Sequence, residues 1–211
     1  MKYIHKSAEP TLFSDWKTLH PGATYKNDLC DHSNPDAFAA KTALKNALLQ
    51  EQKYLCCYCE CRITANNSHI EHFRPKDPSM FPHLQLDYNN LLASCTKEPT
   101  GSVDEHCGHK KGNAFSNDLV SPLETDCSSH FTYRLDGTIE GVDQRGKTTR
   151  QMLHLDSALL NKQRKNLIDS FLDIDDDAEL QQEIAHHLEE DVTQLCEFFT
   201  TIEYLHNHNQ L

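Results

Sequence analysis

Six of the nine cysteines and five of the fourteen histidines of this 211-residue chain fall between Leu55 and Lys111. Cys56 and Cys59 are spaced C-x2-C, so that one tight turn can aim two thiolates at a single ion. A tetrahedral zinc site needs two more soft or imidazole donors, and Cys95 and Cys107 are the natural second pair. Cys57 and Cys61 compete with Cys56 and Cys59 for the ligand role, and spacing alone leaves that choice open. The plain alternative is a set of scattered, buried, inert thiols. A disulfide framework is not expected, because the cysteine count is odd and no secretory signal opens the sequence.

Between and beyond the cysteine pairs stand the polar residues that could do chemistry: Glu71-His72, Arg74-Pro75-Lys76, Asn90 at the head of an apolar run, and His109-Lys110-Lys111 after Cys107. The order Cys-x2-Cys, Glu-His, Asn-Leu, Cys, Cys-Gly-His-Lys-Lys resembles the HNH nuclease family, whose ββα-metal site is often clamped by four zinc-binding cysteines. Two departures are visible: the second cysteine pair is split by an insertion from Thr96 to His106, and Gly108 intervenes before His109. The likeness narrows with Ser7-Ala8-Glu9-Pro10, Leu49-Gln50-Glu51-Gln52, Tyr58-Cys59-Glu60, Glu71-His72-Phe73-Arg74-Pro75-Lys76, Cys107-Gly108-His109-Lys110-Lys111-Gly112 and Leu153-His154-Leu155-Asp156. These segments look like the HNH proteins of the Septu and retron antiphage systems, the PtuB group, over roughly residues 1 to 170.

That resemblance implies metal-assisted hydrolysis of phosphodiester bonds in DNA or RNA. His72 is then the general base, since neutral imidazole suits proton abstraction near pH 7. Glu71 and His109 are the expected ligands of a catalytic divalent ion, with Asn90 either joining the ion or holding the loop that carries His72. Oxygen and imidazole donors fit Mg²⁺, Mn²⁺ or Ni²⁺. Arg74, Lys76, Lys110 and Lys111 are candidates to hold phosphates. The resemblance also implies a partner, an ABC-type ATPase of the PtuA kind, and in retrons a reverse transcriptase with its reverse-transcribed DNA. A competing reading makes the cysteine module a catalytically inactive zinc element that docks such an ATPase. His69, His83 and His106 are set aside as ligands, and His186, His187, His206 and His208 stand far from the cysteine cluster in sequence.

Composition bounds the reading. A hydrophobic fraction of 37% and a mean hydropathy of −0.67 describe a polar, soluble chain, and no apolar run approaches the ~20 residues needed to cross a bilayer. Many cysteines without a leader point to a reducing cytoplasm. The net charge of −12 is unevenly placed: Asn166 to Leu211 holds twelve acids and no Lys or Arg, leaving twenty acids against all twenty bases in the first 165 residues. A nuclease wants positive potential along its substrate path, so a partner should supply much of the grip.

The elements that must position these groups follow from local signals. Residues 1–32 read as irregular, with Trp16 packed rather than stacked on a base. A helix begins at Asn34-Pro35-Asp36, where Asn34 can cap and Pro35 suits the first turn; Phe38, Leu44, Leu48 and Leu49 recur at helical spacing. Arg62-Ile63 and His69 to His72 are expected to pair as a hairpin around Asn66-Asn67, and Tyr88 to Ala93 to be helical. A second hairpin turns at Asp136-Gly137. Asp156-Ser157 caps a helix through Phe171, and Asp175-Asp176-Asp177 caps a long helix or helical pair from Ala178 to Leu205, with Leu195, Phe199 and Ile202 as candidates for an apolar docking stripe. The expected architecture is α+β, mainly α: a helical lead-in (1–54), a zinc-clamped ββα-metal HNH core (55–123) and a hairpin with acidic helices (124–211).

Overall fold

The computed structural model describes residues 1–95 and 104–211, so most of the insertion between Cys95 and Cys107 lies outside the described residues. The architecture is α+β and mainly helical, with two small antiparallel sheets. The first sheet pairs β1 (Ser68–His72) with β2 (Leu91–Cys95), placing Glu71 opposite Leu92 and Ser68 opposite Cys95. Helix α1 (Thr11–Leu19) packs on α2 (Pro35–Glu51), and α2 packs on β2. The short helix α3 (Cys107–Lys111), which carries Cys107, packs on β2. β3 (Phe131–Tyr133) and β4 (Ile139–Gly141) form the second hairpin. Four helices follow: α4 (Gln144–Leu153), α5 (Ala158–Leu172), α6 (Asp177–His187) and α7 (Phe199–Asn207).

The helix starts obey local chemistry. The Asn34 side chain accepts from the amides of Asp36 and Ala37, Ser157 from Leu160 and Asp176 from Glu179, each satisfying a donor that the first turn leaves free. At the Asp136-Gly137 turn, Gly137 has φ +82°, and an added Cβ would stand 2.2 Å from the Asn161 carbonyl of α5. Only glycine fits there. Among the described residues no helix is long and apolar enough to cross a membrane.

Several expectations are corrected. Residues 1–32 are ordered as α1 and a π-helical turn, Tyr25–Leu29, because Phe13, Trp16, Tyr25 and Leu29 bury their rings and side chains in the main core. The partner of β1 is not the Arg62-Ile63 segment, which makes only an isolated bridge from Arg62 to Leu55. The partner is β2, so Tyr88 to Ala93 is not a helix: one 3₁₀ turn at Tyr88–Asn90 leads into the strand. Leu91, Leu92 and Ala93 are each 0% exposed. A short run that is apolar on both faces carries no periodicity to separate a buried strand from a helix, and pairing across the chain decided it. Phe38 of α2 is exposed.

The C-terminal segment forms a helical pair, α6 and α7, the second of the two expected alternatives. Leu195, Phe199 and Ile202 are buried in the protein's own core. They are therefore no free docking stripe. α7 is fastened to the cysteine turn as well: the Glu60 carboxylate accepts from the Thr200 amide at 2.8 Å and from its hydroxyl at 2.5 Å.

Candidate functional site

The turn at Cys56 to Cys61 is closed by the Cys56 amide donating to the Cys61 carbonyl at 2.9 Å and the Glu60 amide donating to the Cys56 carbonyl at 3.1 Å. That turn presents two sulfurs to two more, from the end of β2 and the start of α3. The sulfurs of Cys56, Cys59, Cys95 and Cys107 all lie within 4.8 Å of one another. Zn–S bonds of about 2.3 Å put tetrahedral sulfurs roughly 3.8 Å apart, and the Cys59–Cys95 separation is 3.8 Å. The Cys95 amide donates to the Cys56 sulfur at 3.3 Å. Burial resists ionisation of Cys56 and Cys59, but hydrogen bonds from the surrounding thiols, Cys107 foremost, hold both well below the ordinary thiol value. Burial and those same contacts push Cys107 well above it. Four sulfurs sharing their protons in this way are a donor set that fits a zinc ion. Cys57 is pushed up by burial and by its neighbour Cys56, and Cys61 meets Gln163 of α5; neither belongs to the cluster.

A cleft of about 240 Å³ opens beside this cluster, at the end of β1, bordered by His69, Glu71, His72, Lys76, Gly108 and His109. Alternation along β1 sends His69 and Glu71 to one face. Oxygen Oε1 of Glu71 accepts from the Tyr58 hydroxyl at 3.2 Å and pairs with the Lys111 ammonium at 2.9 Å. Oxygen Oε2 meets His69 Nε2 at 3.3 Å. Burial opposes the charge on Glu71, yet the His69 hydrogen bond and the Lys111 charge hold its pKa below the ordinary carboxylate value. The ring of His109, on α3, stands edge-on to that of His69 with centroids 4.7 Å apart.

The same alternation puts His72, the last residue of β1, on the opposite face from Glu71, and it still borders the cleft. Its Nε2 lies 3.0 Å from the Gln85 carbonyl, and the ring meets Tyr25 edge-on at 4.4 Å. A carbonyl only accepts, so the proton is on Nε2 and Nδ1 carries the bare lone pair. Burial pushes the His72 pKa down to about 4, so the imidazole is neutral at pH 7. Asn90 brackets the loop that follows: its Oδ1 accepts from the Arg74 amide at 2.8 Å, and its Nδ2 donates to the Arg74 and Leu84 carbonyls at 2.9 and 3.0 Å.

Of the four basic residues singled out from sequence, Arg74, Lys76 and Lys110 are exposed. Arg74 lies over Phe81 and Phe115 at 5.6 and 5.8 Å, and Lys76 over Tyr25 at 5.0 Å. Lys111 is turned inward instead, its side chain 1% exposed and its ammonium also donating to the His72 carbonyl at 2.9 Å. There it is the counter-charge of the buried Glu71 carboxylate rather than an exposed cation.

His69, set aside as a ligand from the sequence, shares the face of Glu71 through its i, i+2 relation in the strand and meets its Oε2. The sequence did not show why glycine stands at 108. A Cβ there would lie 2.5 Å from Glu71 Oε2 and 2.6 Å from His69 Nε2. Glycine there lets α3 approach the His69 and Glu71 side chains of β1 closely. The Glu71 carboxylate and the His109 imidazole that border the cleft are donor types a divalent cation takes.

Fold and site together define an α+β, mainly helical protein with a four-cysteine cluster able to bind zinc beside a carboxylate–histidine cleft. No family model matches the chain. Among curated proteins it is 35% identical over 129 residues to Septu protein PtuB of Bacillus thuringiensis, covering 58% of this chain and 44% of that protein. It is 30% identical over 150 residues to an HNH endonuclease candidate of retron Vc95 from Vibrio cholerae, covering 67% and 71%. A third relative, an HNH endonuclease candidate of retron Ec83 from Escherichia coli, is 32% identical over 153 residues, covering 70% and 52%. The match thus spans about half the length of two of these three relatives. The chain belongs to the Septu and retron HNH-type family of defence proteins.

Proposed function

We propose that this protein is a metal-dependent HNH endonuclease that hydrolyses phosphodiester bonds of DNA or RNA. It serves as the effector of an antiphage system, in the cytoplasm, beside an ABC-type ATPase; in a retron context the reverse transcriptase and its DNA product join them. The observation that carries this reading is the convergence of Glu71, His72 and His109 on one cleft next to the four cysteines, in a chain whose relatives bear the HNH endonuclease name.

His72 takes a proton from the attacking water at Nδ1, while the Gln85 carbonyl holds the Nε2 proton and fixes the ring. Glu71 and His109 hold the catalytic divalent ion, Mg²⁺, Mn²⁺ or Ni²⁺. When bound, that ion supplies positive charge against the charge that develops on the phosphate and leaving oxygen. Lys111 and Tyr58 hold one oxygen of Glu71 so that the other faces the cleft. Asn90 keeps the loop after β1 in register with His72. Arg74, Lys76 and Lys110 are the exposed cations available to substrate phosphates. Cys56, Cys59, Cys95 and Cys107 hold a structural Zn²⁺ that ties the first turn, β2 and α3 together.

The test is His72→Ala. Removing a general base costs roughly 10²- to 10⁴-fold in rate, while zinc content and circular dichroism should match the parent. Cleavage of plasmid DNA and of single-stranded RNA is followed with and without the co-expressed ATPase. A His72→Ala protein that cuts at the parental rate with matched metal content refutes the assignment.

A further inference from the structure

Among the described residues a further group of metal-binding side chains lies away from the cleft and the cysteines, in the turn that leads into β3. Glu124 and Asp126 precede the 3₁₀ turn Cys127–His130, and His130 passes directly into the strand. One carboxylate oxygen from each acid and one ring nitrogen of His130 all lie within 4.8 Å of one another. Asp126 is exposed and Glu124 half-buried, whereas His130 is 8% exposed. The two nitrogens of that ring stand in different settings. Nδ1 lies 2.7 Å from a carboxylate oxygen of Asp143, the residue that caps α4. A carboxylate only accepts, so Nδ1 holds the proton. Nε2 is buried with no hydrogen-bond partner among the described residues. A proton there would be a buried donor without an acceptor, so Nε2 presents a bare lone pair. A carboxylate on one ring nitrogen and a lone pair on the other is the arrangement of a metal-ligating histidine. Arg145 of α4 pairs with Glu124 at 2.7 Å, but each carboxylate oxygen has two lone pairs, so Glu124 can keep that partner and still meet an ion. Glu124, Asp126 and Asp143 set three negative charges against the single positive charge of Arg145, a surplus that matches a divalent cation.

We propose that Glu124, Asp126 and His130 Nε2 form a further metal site for a divalent first-row transition cation, with Asp143 orienting the imidazole from behind. Donors about 2.1 Å from one ion stand up to roughly 4 Å apart, an adjustment within reach of the solvent-facing Asp126 side chain. One imidazole with two carboxylates suits Mn²⁺, Ni²⁺ or Zn²⁺, whereas Mg²⁺ prefers oxygen donors and retains its waters. The ion ties the turn before β3 to the histidine that Asp143 anchors at the start of α4. The site stands whether or not the cleft at the end of β1 is a catalytic centre, since the two have no residue in common.

The experiment measures Mn²⁺ binding to the full chain, with its cysteine cluster loaded with zinc, by the room-temperature paramagnetic resonance signal of free Mn²⁺ and with Mg²⁺ in excess. The parent is compared with Asp126→Ala, Asp143→Asn and His109→Ala. Asp126 is exposed, so its removal spares the fold, and circular dichroism checks each sample. Asparagine at 143 can keep the cap on the Gly146 amide, which Oδ1 accepts now, but offers His130 an amide nitrogen in place of the second oxygen. Asp126→Ala should weaken one bound Mn²⁺ by at least about tenfold, the lower bound for losing even an outer-shell partner, and Asp143→Asn should weaken the same ion by about 10- to 100-fold. His109→Ala should leave that ion in place, which separates it from any ion in the cleft. Parental stoichiometry and affinity in Asp126→Ala overturns the proposal. Complete loss of Mn²⁺ in His109→Ala also overturns it, because the cleft then accounts for all binding. Parental affinity in Asp143→Asn overturns the assignment of His130 and leaves only exposed acids gathering an ion.

Discussion

Gly108→Ala isolates the geometry of the cleft from the stability of the fold. The backbone at 108 is helical with no positive φ, so alanine is conformationally welcome, and helix propensity alone would stabilise by about 0.5–1 kcal/mol. The added Cβ would nonetheless stand 2.5 Å from Glu71 Oε2, where ordinary contact begins at 3.4 Å. The carboxylate must retreat by roughly 0.9 Å, given those distances and the stiffness of close-packed interiors. It cannot swing away freely, because Lys111 and Tyr58 hold its other oxygen and Glu71 is 5% exposed. Overpacking of this kind costs about 1–3 kcal/mol. Set against the propensity gain, the net change is a loss of roughly 0–2.5 kcal/mol, or a fall of several degrees in Tm for a chain of this size. The chemistry suffers more, since a displacement near 1 Å of a group at the reacting centre costs on the order of 10²-fold. The assay is single-turnover cleavage at saturating divalent ion, with zinc content and thermal melting on the same sample. A Gly108→Ala protein that is more stable than the parent and cleaves at the parental rate refutes the reasoning.

Three further outcomes are expected. Cys59→Ser should abolish zinc binding and fail to yield soluble folded protein, because the four buried sulfurs tie the first turn, β2 and α3 together at one point; a soluble variant with parental circular dichroism after chelation contradicts the clamp. A chain ending at Asp173 removes Phe199, Ile202 and Leu205, each 1% exposed or less, and full burial of such side chains contributes about 1.5–3 kcal/mol apiece. With the Thr200 bonds to Glu60 also gone, that exceeds much of an ordinary stability margin, and a natively folded 1–173 fragment would show that α7 is an appendage. His187 packs edge-on to Phe171, and burial holds its pKa below the ordinary histidine value. The unfolded chain therefore takes a proton near pH 6.5 that the folded chain refuses until lower pH, so stability is full above that value and falls as pH drops below it. His72, pushed down to about 4, acts with the same sign. Urea midpoints at pH 7.5 and 5.5 should differ less in His187→Phe than in the parent, and an unchanged gap rules out this source of acid sensitivity.

What could be read in the sequence was local. The C-x2-C turn, the Asn34-Pro35 and Ser157 helix starts and the Asp136-Gly137 hairpin each depend on a few adjacent residues, and each stands where spacing put it. Glu71, His72 and His109 were singled out by their order along the chain, and they border one cleft. What the sequence withheld was long-range. β1 could find its partner only nineteen or more residues away, in a run whose apolar residues face inward on both sides and so lack a period. The placement of His69 beside Glu71 depended on that pairing, because only a paired strand fixes which residues share Glu71's face. Lys111 has the composition of a surface cation, and its burial followed from the charge of a carboxylate forty residues earlier. The acidic C-terminal helices carry an apolar stripe that suits either a partner or the chain's own core. Tertiary packing placed Leu195, Phe199 and Ile202 inside, since burial of apolar surface is non-directional and the nearest uncovered core was the protein's own.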